Sequence, residues 1–287
     1  MPELPEVETV RKGLNIKANN FVIQKVEVLK ERSIASEGGS KDFIANMTGL
    51  KVYSWERRGK YLIGFLEKGN SKSIYPIHLG WWVIHLRMTG HFQFHKKSSF
   101  PCPHTRVRIW NKEGIELRFV DVRNFGQMWF VKGESNPKDS INGLNKLGPE
   151  PFSKEFNASY LKMKLKGRSR SIKSSLLDQT LVAGTGNIYA DESLFLAGIL
   201  PTRESRLIKI SELNRLRNSL IKILKTSIGE GGTTFSDFRD LDGTNGNYGG
   251  QALVYRRENK PCRHCGTKIK RIKISGRSTH WCPKCQT

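Results

Sequence analysis

Cys262-Arg263-His264-Cys265, then sixteen residues, then Cys282-Pro283-Lys284-Cys285: this run decides how the C-terminal part of the 287-residue chain folds. Two Cys-x2-Cys pairs at that spacing bring four thiolates to one tetrahedral zinc ion. A closed four-sulfur shell leaves no open position, so the metal is structural rather than catalytic. Only one other cysteine exists, Cys102, and Cys102-Pro103-His104 is too short to build a second metal site. Between the pairs, Ile269-Lys270-Arg271-Ile272 reads as strand and Ser275-Gly276 as a turn, giving a hairpin with Arg277 at its tip. A turn arginine is often merely solvated. On a metal-held hairpin it is also placed to reach into a groove.

Upstream of that hairpin, Gly229–Gly250 is rich in glycine and reads as a mobile loop, with Tyr248 near its end. Before it, Ser153–Leu165, Ile172–Leu181, Ile188–Ala197 and Ser211–Ile228 carry apolar residues three and four apart and are expected as helices. Toward the N-terminus the period changes. Phe21–Leu29, Lys51–Trp55, Tyr61–Phe65, Trp81–Leu86, Thr105–Trp110, Ile115–Val120 and Gln127–Val131 are short β-branched and aromatic runs separated by turn residues, which suggests an antiparallel sandwich or barrel. The change falls at Lys132–Pro149, where Gly, Asn and Pro concentrate.

Charge narrows the partner. Lys plus Arg number 49 and Asp plus Glu 26, a net charge of +23, with a pI of about 10.0. Such an excess points to a polyanion, nucleic acid first and a membrane surface second. No apolar run approaches the ~20 residues that span a bilayer, and the acidic start is unlike a secretory signal. The expectation is therefore a cytoplasmic protein.

The start itself, Met1-Pro2-Glu3-Leu4-Pro5-Glu6-Val7-Glu8, carries the chemistry. Methionine before proline is readily trimmed, leaving Pro2 with a secondary amine. A free α-amine has a pKa of roughly 7.7–8.0, so part of it is neutral near pH 7 and nucleophilic toward a sugar carbon. Glu3 and Glu6 lie within one turn of it, ready to exchange protons with a leaving group. Taken alone, the same residues merely begin a helix over Glu3–Leu14 and complement its dipole. Other motifs are equally double-edged. Gly184-Thr185-Gly186-Asn187 ahead of a helix suits phosphate but also simply caps it. Lys166, Arg168, Arg170 and Lys173 form a basic run, read here as backbone-contacting. Lys60, in Arg58-Gly59-Lys60-Tyr61, is suited to a phosphate flanking the sugar. Met88, Arg123 and Phe125 are suited to filling the gap left when a base is pulled from a duplex. His104, beside Thr105, Arg106 and Arg108, is suited to a phosphate.

Together these stretches resemble the bacterial formamidopyrimidine-DNA glycosylases from end to end. The resemblance rests on Met1–Val10, Arg58–Leu62, His85–Gly90, Arg123–Gly126, Gly148–Pro151, Gly186–Ala190, Gly231–Thr234 and the four cysteines. It implies an α+β fold: an antiparallel β-sandwich with an N-terminal helix (1–133), a linker (134–149), a helix–two-turn–helix segment with a lesion-covering loop (150–250), and a zinc hairpin (251–287), with DNA in the cleft between domains. It implies a monomeric, nucleoid-associated enzyme of bacterial type with one structural zinc ion held by Cys262, Cys265, Cys282 and Cys285. Its partner is damaged double-stranded DNA, from which it excises oxidised purines (8-oxoguanine and formamidopyrimidines) before cutting the strand by β,δ-elimination. Pro2 is implied as the Schiff-base nucleophile, Glu3 as main proton donor with Glu6 assisting, Lys60 in β-elimination and Arg277 in δ-elimination. His104, Arg123, Arg168 and Asn187 match DNA contacts, Met88, Arg123 and Phe125 the void-filling set, and Thr233 and Tyr248 the covering loop.

Two departures stand out. Val122 and Asn124 replace the usual proline and second basic residue of the wedge motif. The stretch Lys68–Trp82 is longer than the family's usual strand connection. The sister endonuclease VIII, acting on oxidised pyrimidines, is the nearest alternative, but its start has glycine where Leu4 stands and it lacks the full Met88, Arg123 and Phe125 set. A non-catalytic DNA-binding zinc protein accounts for charge, turn and finger, though not for Pro2 beside Glu3 with Lys60. A zinc-bearing RNA-binding protein accounts for the charge and not for the wedge set.

Overall fold

The computed structural model of the chain describes residues 1–69, 77–97, 99–235 and 238–287. Part of the unusual Lys68–Trp82 stretch, residues 70–76, lies outside the described residues. The chain forms two compact units. The first holds Met1–Asn145 and Gly231–Gly246, the second Lys146–Glu230 and Asn247–Thr287. No helix among the described residues is long and apolar enough to cross a membrane.

The first unit begins with helix α1 (Leu4–Lys17), which buries Leu4, Val7, Val10 and Leu14 on one face. Strands β1 (Phe21–Val22) and β2 (Lys25–Val28) follow, then helix α2 (Gly39–Met47), β3 (Leu50–Arg58), β4 (Tyr61–Lys68), β5 (His78–His85), β6 (His91–His95), β7 (Thr105–Trp110), β8 (Glu116–Val120) and β9 (Gln127–Lys132). Two antiparallel sheets result, one in the order β1-β3-β4-β5-β9 and one in the order β2-β7-β8-β6. The expected continuous strand Phe21–Leu29 is broken because its halves serve different sheets: Phe21 pairs with Val52, Val26 with Ile109. The turns α3 (Pro137–Ser140) and α4 (Asn142–Asn145) end this part.

Aromatic side chains link the two sheets through the core. Trp55 and Trp82 from the first sheet lie 5.1 Å apart, Trp82 and Phe92 6.1 Å, and Phe92 and Phe119 5.3 Å. All four are buried, and truncating such a ring to alanine costs about 3–5 kcal/mol. Gly231–Gly246 joins this unit because Phe238 and Leu241 are buried in the same core. Most of the run expected as a glycine-rich loop of the helical segment is therefore packed with the first unit, through these two apolar side chains.

The second unit contains α5 (Ala158–Leu165), α6 (Ile172–Leu176), α7 (Asn187–Ala197), α8 (Ile210–Gly229), the short α9 (Tyr248–Gln251) and the hairpin β10 (Lys270–Ile274) and β11 (Arg277–Trp281). Helix α5 starts at Ala158 rather than Ser153, since Asn157 caps it by accepting the Tyr160 N–H at 2.9 Å. Helix α7 is the pillar of the unit. Two neighbouring acids on it are fully buried: Asp191 pairs with Lys173 Nζ at 2.6 Å and accepts the His280 N–H at 2.8 Å, which ties down β11. Glu192 accepts the N–H groups of Leu253, Val254 and Tyr255 at 2.7–2.9 Å and the Tyr248 hydroxyl at 2.9 Å, which ties down the segment before the hairpin. Burial keeps the Glu192 carboxyl above its usual range despite those donors. Lys173 therefore faces inward, which corrects the expectation that the whole basic run contacts a nucleic-acid backbone: its ammonium is neutralised by Asp191 inside the unit.

Removing one partner of a buried ion pair leaves the other charge uncompensated, at a cost of about 3–5 kcal/mol. Lys173→Met is therefore expected to destabilise the second unit by that amount, measured by urea unfolding. A loss below about 1 kcal/mol, the ordinary effect of a point change, would show that the pair does not hold β11.

Candidate active site

Helix α1 lies along β3 through directional bonds. Asn15 exchanges two hydrogen bonds with the Trp55 backbone, at 2.8 and 3.0 Å, and Arg57 Nε donates to Glu8 at 3.0 Å. Burial opposes ionisation of Glu8, but Arg11 and Arg57 outweigh it and hold its carboxyl below the usual range. Passing from Asn15 to Glu8 moves along β3 toward Arg57, so the start of α1 is directed to the β3–β4 end, where Gly59 and Lys60 make the turn.

At that start, Met1 is 43% exposed while Pro2, Glu3 and Glu6 are buried. Glu6 uses its two carboxylate oxygens on different partners: Oε2 accepts the Glu3 N–H at 2.8 Å and Oε1 the Thr233 N–H at 2.7 Å. Within the first unit the fold thus places Glu3, Glu6 and Thr233 around the N-terminus. Lys60 is buried at the hairpin turn. Its charge and that of Arg87 act on His85 after the larger effect of burial, and together they push the His85 pKa down to about 3. The neutral ring packs edge-on to Tyr61 at 4.6 Å, and its Nδ1 accepts the Arg87 N–H at 3.0 Å.

Arg87 opens a turn that carries Met88, half-buried, and Arg123 and Phe125 are exposed on the loop after β8. Arg87 and Asn124 both have φ +55°, a conformation that costs a non-glycine residue roughly 1–3 kcal/mol and persists where neighbours enforce it. Phe125 stands with the guanidinium carbons of Arg123 and Arg32 at 5.0 and 5.3 Å from its ring. His104 is exposed next to this loop, its carbonyl accepting the Asp121 N–H at 2.9 Å. Its basic neighbours point inward: Arg106 is buried on the Asp121 carbonyl at 2.7 Å, and Arg108 is spent on Glu116 and Glu27.

In the second unit, Arg168 lies 3.5 Å from Asp178, and Asn187 opens α7 with its Nδ2 on the Ser278 carbonyl at 3.0 Å. Arg277 is exposed beside the Ser275–Gly276 turn, whose positive φ values suit a two-residue hairpin. The ligand atoms of Cys262, Cys265, Cys282 and Cys285 all lie within 4.8 Å of one another. A tetrahedron with zinc–sulfur bonds of about 2.3 Å needs edges of roughly 3.8 Å, so the donor set fits the ion. Tyr248 is the residue expected near the end of the covering loop. It opens α9 and is buried, with its hydroxyl donating to the Glu192 carboxylate beside three backbone N–H groups. Thr233 is likewise buried, with its N–H on Glu6.

Sequence reasoning assigned no role to His85, Thr89 or Asp121. An isolated acid at the end of a strand in so basic a chain was the available signal for Asp121.

Three family models match: the formamidopyrimidine-DNA glycosylase N-terminal domain over residues 1–128, its H2TH domain over 147–239, and a zinc finger found in FPG and IleRS over 259–287. A formamidopyrimidine-DNA glycosylase of Prochlorococcus marinus is 63% identical over 286 residues, covering 100% of both chains. Among solved structures, the Lactococcus lactis Fpg complex with abasic-site DNA matches with a TM-score of 0.87 at 33% identity, covering 99% of each chain. The same enzyme with N7-benzyl-Fapy-dG DNA matches with 0.88 at 33% identity over 100% of each.

Two outcomes follow from the geometry. His85 stays neutral in the folded chain down to about pH 3 but protonates near pH 6.5 when unfolded, so the unfolded state binds the extra proton between those values. Stability is expected to fall as pH drops from 6.5 to 4.5, by up to about 1.4 kcal/mol per pH unit, and His85→Asn should flatten that slope in urea titrations. An unchanged slope would contradict the buried neutral ring. Zinc removal by a chelator, or Cys265→Ser, should strip hydrogen-exchange protection from β10 and β11 while α1 and β3–β5 keep theirs; uniform loss, or none, would contradict a structural metal confined to the hairpin.

Proposed function

The chain belongs to the formamidopyrimidine-DNA glycosylase family, and from that premise we propose that it excises oxidised purines from duplex DNA with Pro2 as nucleophile. It is a DNA glycosylase of base excision repair carrying one structural zinc ion. The observation that carries the mechanism is the buried cluster of Glu3 and Glu6 at a start whose second residue is proline.

Loss of Met1 frees the Pro2 amine. That amine attacks the anomeric carbon, the glycosidic bond breaks, and the base leaves with a proton. The nitrogen then sheds its proton, and its lone pair expels the ring oxygen O4′ from the same carbon; O4′ takes up a proton and the ring-opened sugar is left as a Schiff base on Pro2. Glu3 supplies the proton and takes it back at later steps. Glu6 assists by holding the Glu3 backbone, since both of its oxygens accept N–H bonds. Lys60 serves β-elimination and Arg277 δ-elimination. His104, Arg123, Arg168 and Asn187 contact the DNA backbone, and Met88, Arg123 and Phe125 fill the space of the extruded nucleotide. The zinc ion's part is structural: bound by the four cysteines, it holds the hairpin that carries Arg277. Leu4 and the complete wedge set favour purine lesions over an endonuclease VIII-like preference. We further propose that the enzyme acts as a monomer in the cytoplasm, at the nucleoid. The domain division at 1–133, 134–149, 150–250 and 251–287 stays as a functional division, with residues 231–246 packing on the first unit.

Borohydride added during reaction with an 8-oxoguanine duplex is expected to trap a covalent protein–DNA adduct. Glu3→Gln should suppress base excision at least 100-fold, a typical share for a positioned proton donor, while leaving duplex affinity nearly unchanged. Active wild-type protein that yields no adduct, or a Glu3→Gln variant that excises normally, would overturn the assignment.

A further inference from the structure

Asp121 is fully buried and no mechanistic step uses it, yet its carboxylate has four hydrogen-bond partners in the loops of the first unit. Oδ2 accepts the N–H of Phe125 at 2.8 Å and of Gly126 at 2.7 Å, and Oδ1 accepts that of Arg123 at 3.3 Å. Oδ1 is also the partner of the Thr89 hydroxyl, and Thr89 Oγ1 accepts the Arg123 N–H at 3.0 Å. Thr89 lies next to Met88, on the other turn. One carboxylate therefore spans both turns that carry wedge side chains.

Packing repeats the same link. A Cβ on Gly90 would sit 2.7 Å from Phe119 Cζ, and one on Gly126 only 2.5 Å from the same atom. Both turns rest on one buried ring, closer than any side chain permits. Nothing covalent locks the loop, since Val122, Arg123 and Asn124 leave its backbone free to rotate. Its left-handed Asn124 is enclosed by the Asp121 bonds to Arg123 and Phe125, and the left-handed Arg87 of the other turn is held separately, by its N–H on His85 Nδ1.

We propose that Asp121 is a positioning residue that makes the Met88 turn and the Arg123–Phe125 loop one rigid wedge, with Thr89 as the joint between them. Met88, Arg123 and Phe125 then meet the duplex already in register, so no ordering is left to do while a paired base is being displaced. The inference rests on the proposed extrusion of a base, and it concerns only how the wedge is held. A loosened joint should slow work on a paired lesion, where stacking and pairing must be broken, and spare a site that has already lost its base.

The test compares single-turnover excision of 8-oxoguanine paired with cytosine against strand cleavage at a preformed abasic site, for wild type, Thr89→Val, Thr89→Ser and Asp121→Asn. A hydrogen bond to a charged group is worth at least about tenfold, so Thr89→Val is expected to lose about tenfold in excision and under twofold in abasic cleavage. Thr89→Ser, which restores the hydroxyl, should return to within about twofold of wild type. Asp121→Asn, which loses acceptors for several donors, should show the larger selective loss; if it does not fold, the two Thr89 variants still decide. Equal changes on both substrates in Thr89→Val, or failure of serine to rescue, overturns the joint while leaving the enzyme's function standing. Wild-type protein inactive on both substrates overturns the proposed function instead.

Discussion

A buried carboxylate is tolerable only when donors replace the water it has lost, and the working parts of this chain are hung on four that meet the condition. Glu6 joins the Glu3 backbone to Thr233, Asp121 joins the two wedge turns, Asp191 secures β11, and Glu192 secures the segment leading to the hairpin. In each case backbone N–H groups are among the partners, and at least one partner comes from a segment distant in sequence. Such bonds have fixed direction, so they set loop geometry more closely than apolar contact does.

This use of acids suits a chain with a net charge of +23. Self-repulsion among so many cations disfavours compactness, and placing the scarce carboxylates inside relieves it where loops must be held. The basic residues divide accordingly. Arg57, Arg106, Arg108 and Lys173 are consumed by internal acids or carbonyls, while Arg123 and Arg277 stay exposed. Counting basic residues therefore identifies the class of partner but not which residues meet it.

His85 shows how the chemistry is insulated. Its neighbours Lys60 and Arg87 are both cationic, and burial removes the water that would stabilise a third charge. A neutral imidazole can then accept the Arg87 N–H and hold the left-handed turn that presents Met88. Lys60 and the Met88 turn thus share one strand end, because β5 pairs with β4 next to Lys60 and runs directly into that turn.

What the residues determine locally was legible from them. The cysteine spacing, the strand run Thr105–Trp110, the helices of the second half and the acidic, proline-led start depend on period, turn chemistry and ligand geometry, all properties of neighbours in sequence. The rest was decided by contacts between distant segments. Only pairing with two different sheets splits Phe21–Leu29, only the core positions of Phe238 and Leu241 draw 231–246 onto the first unit, and only the distant Glu192 on α7 gives the buried Tyr248 hydroxyl its acceptor. Lys173 and Arg168 look alike in the sequence. A buried aspartate on α7 makes one of them structural, since desolvation and pairing energies exist only once the chain has folded around them.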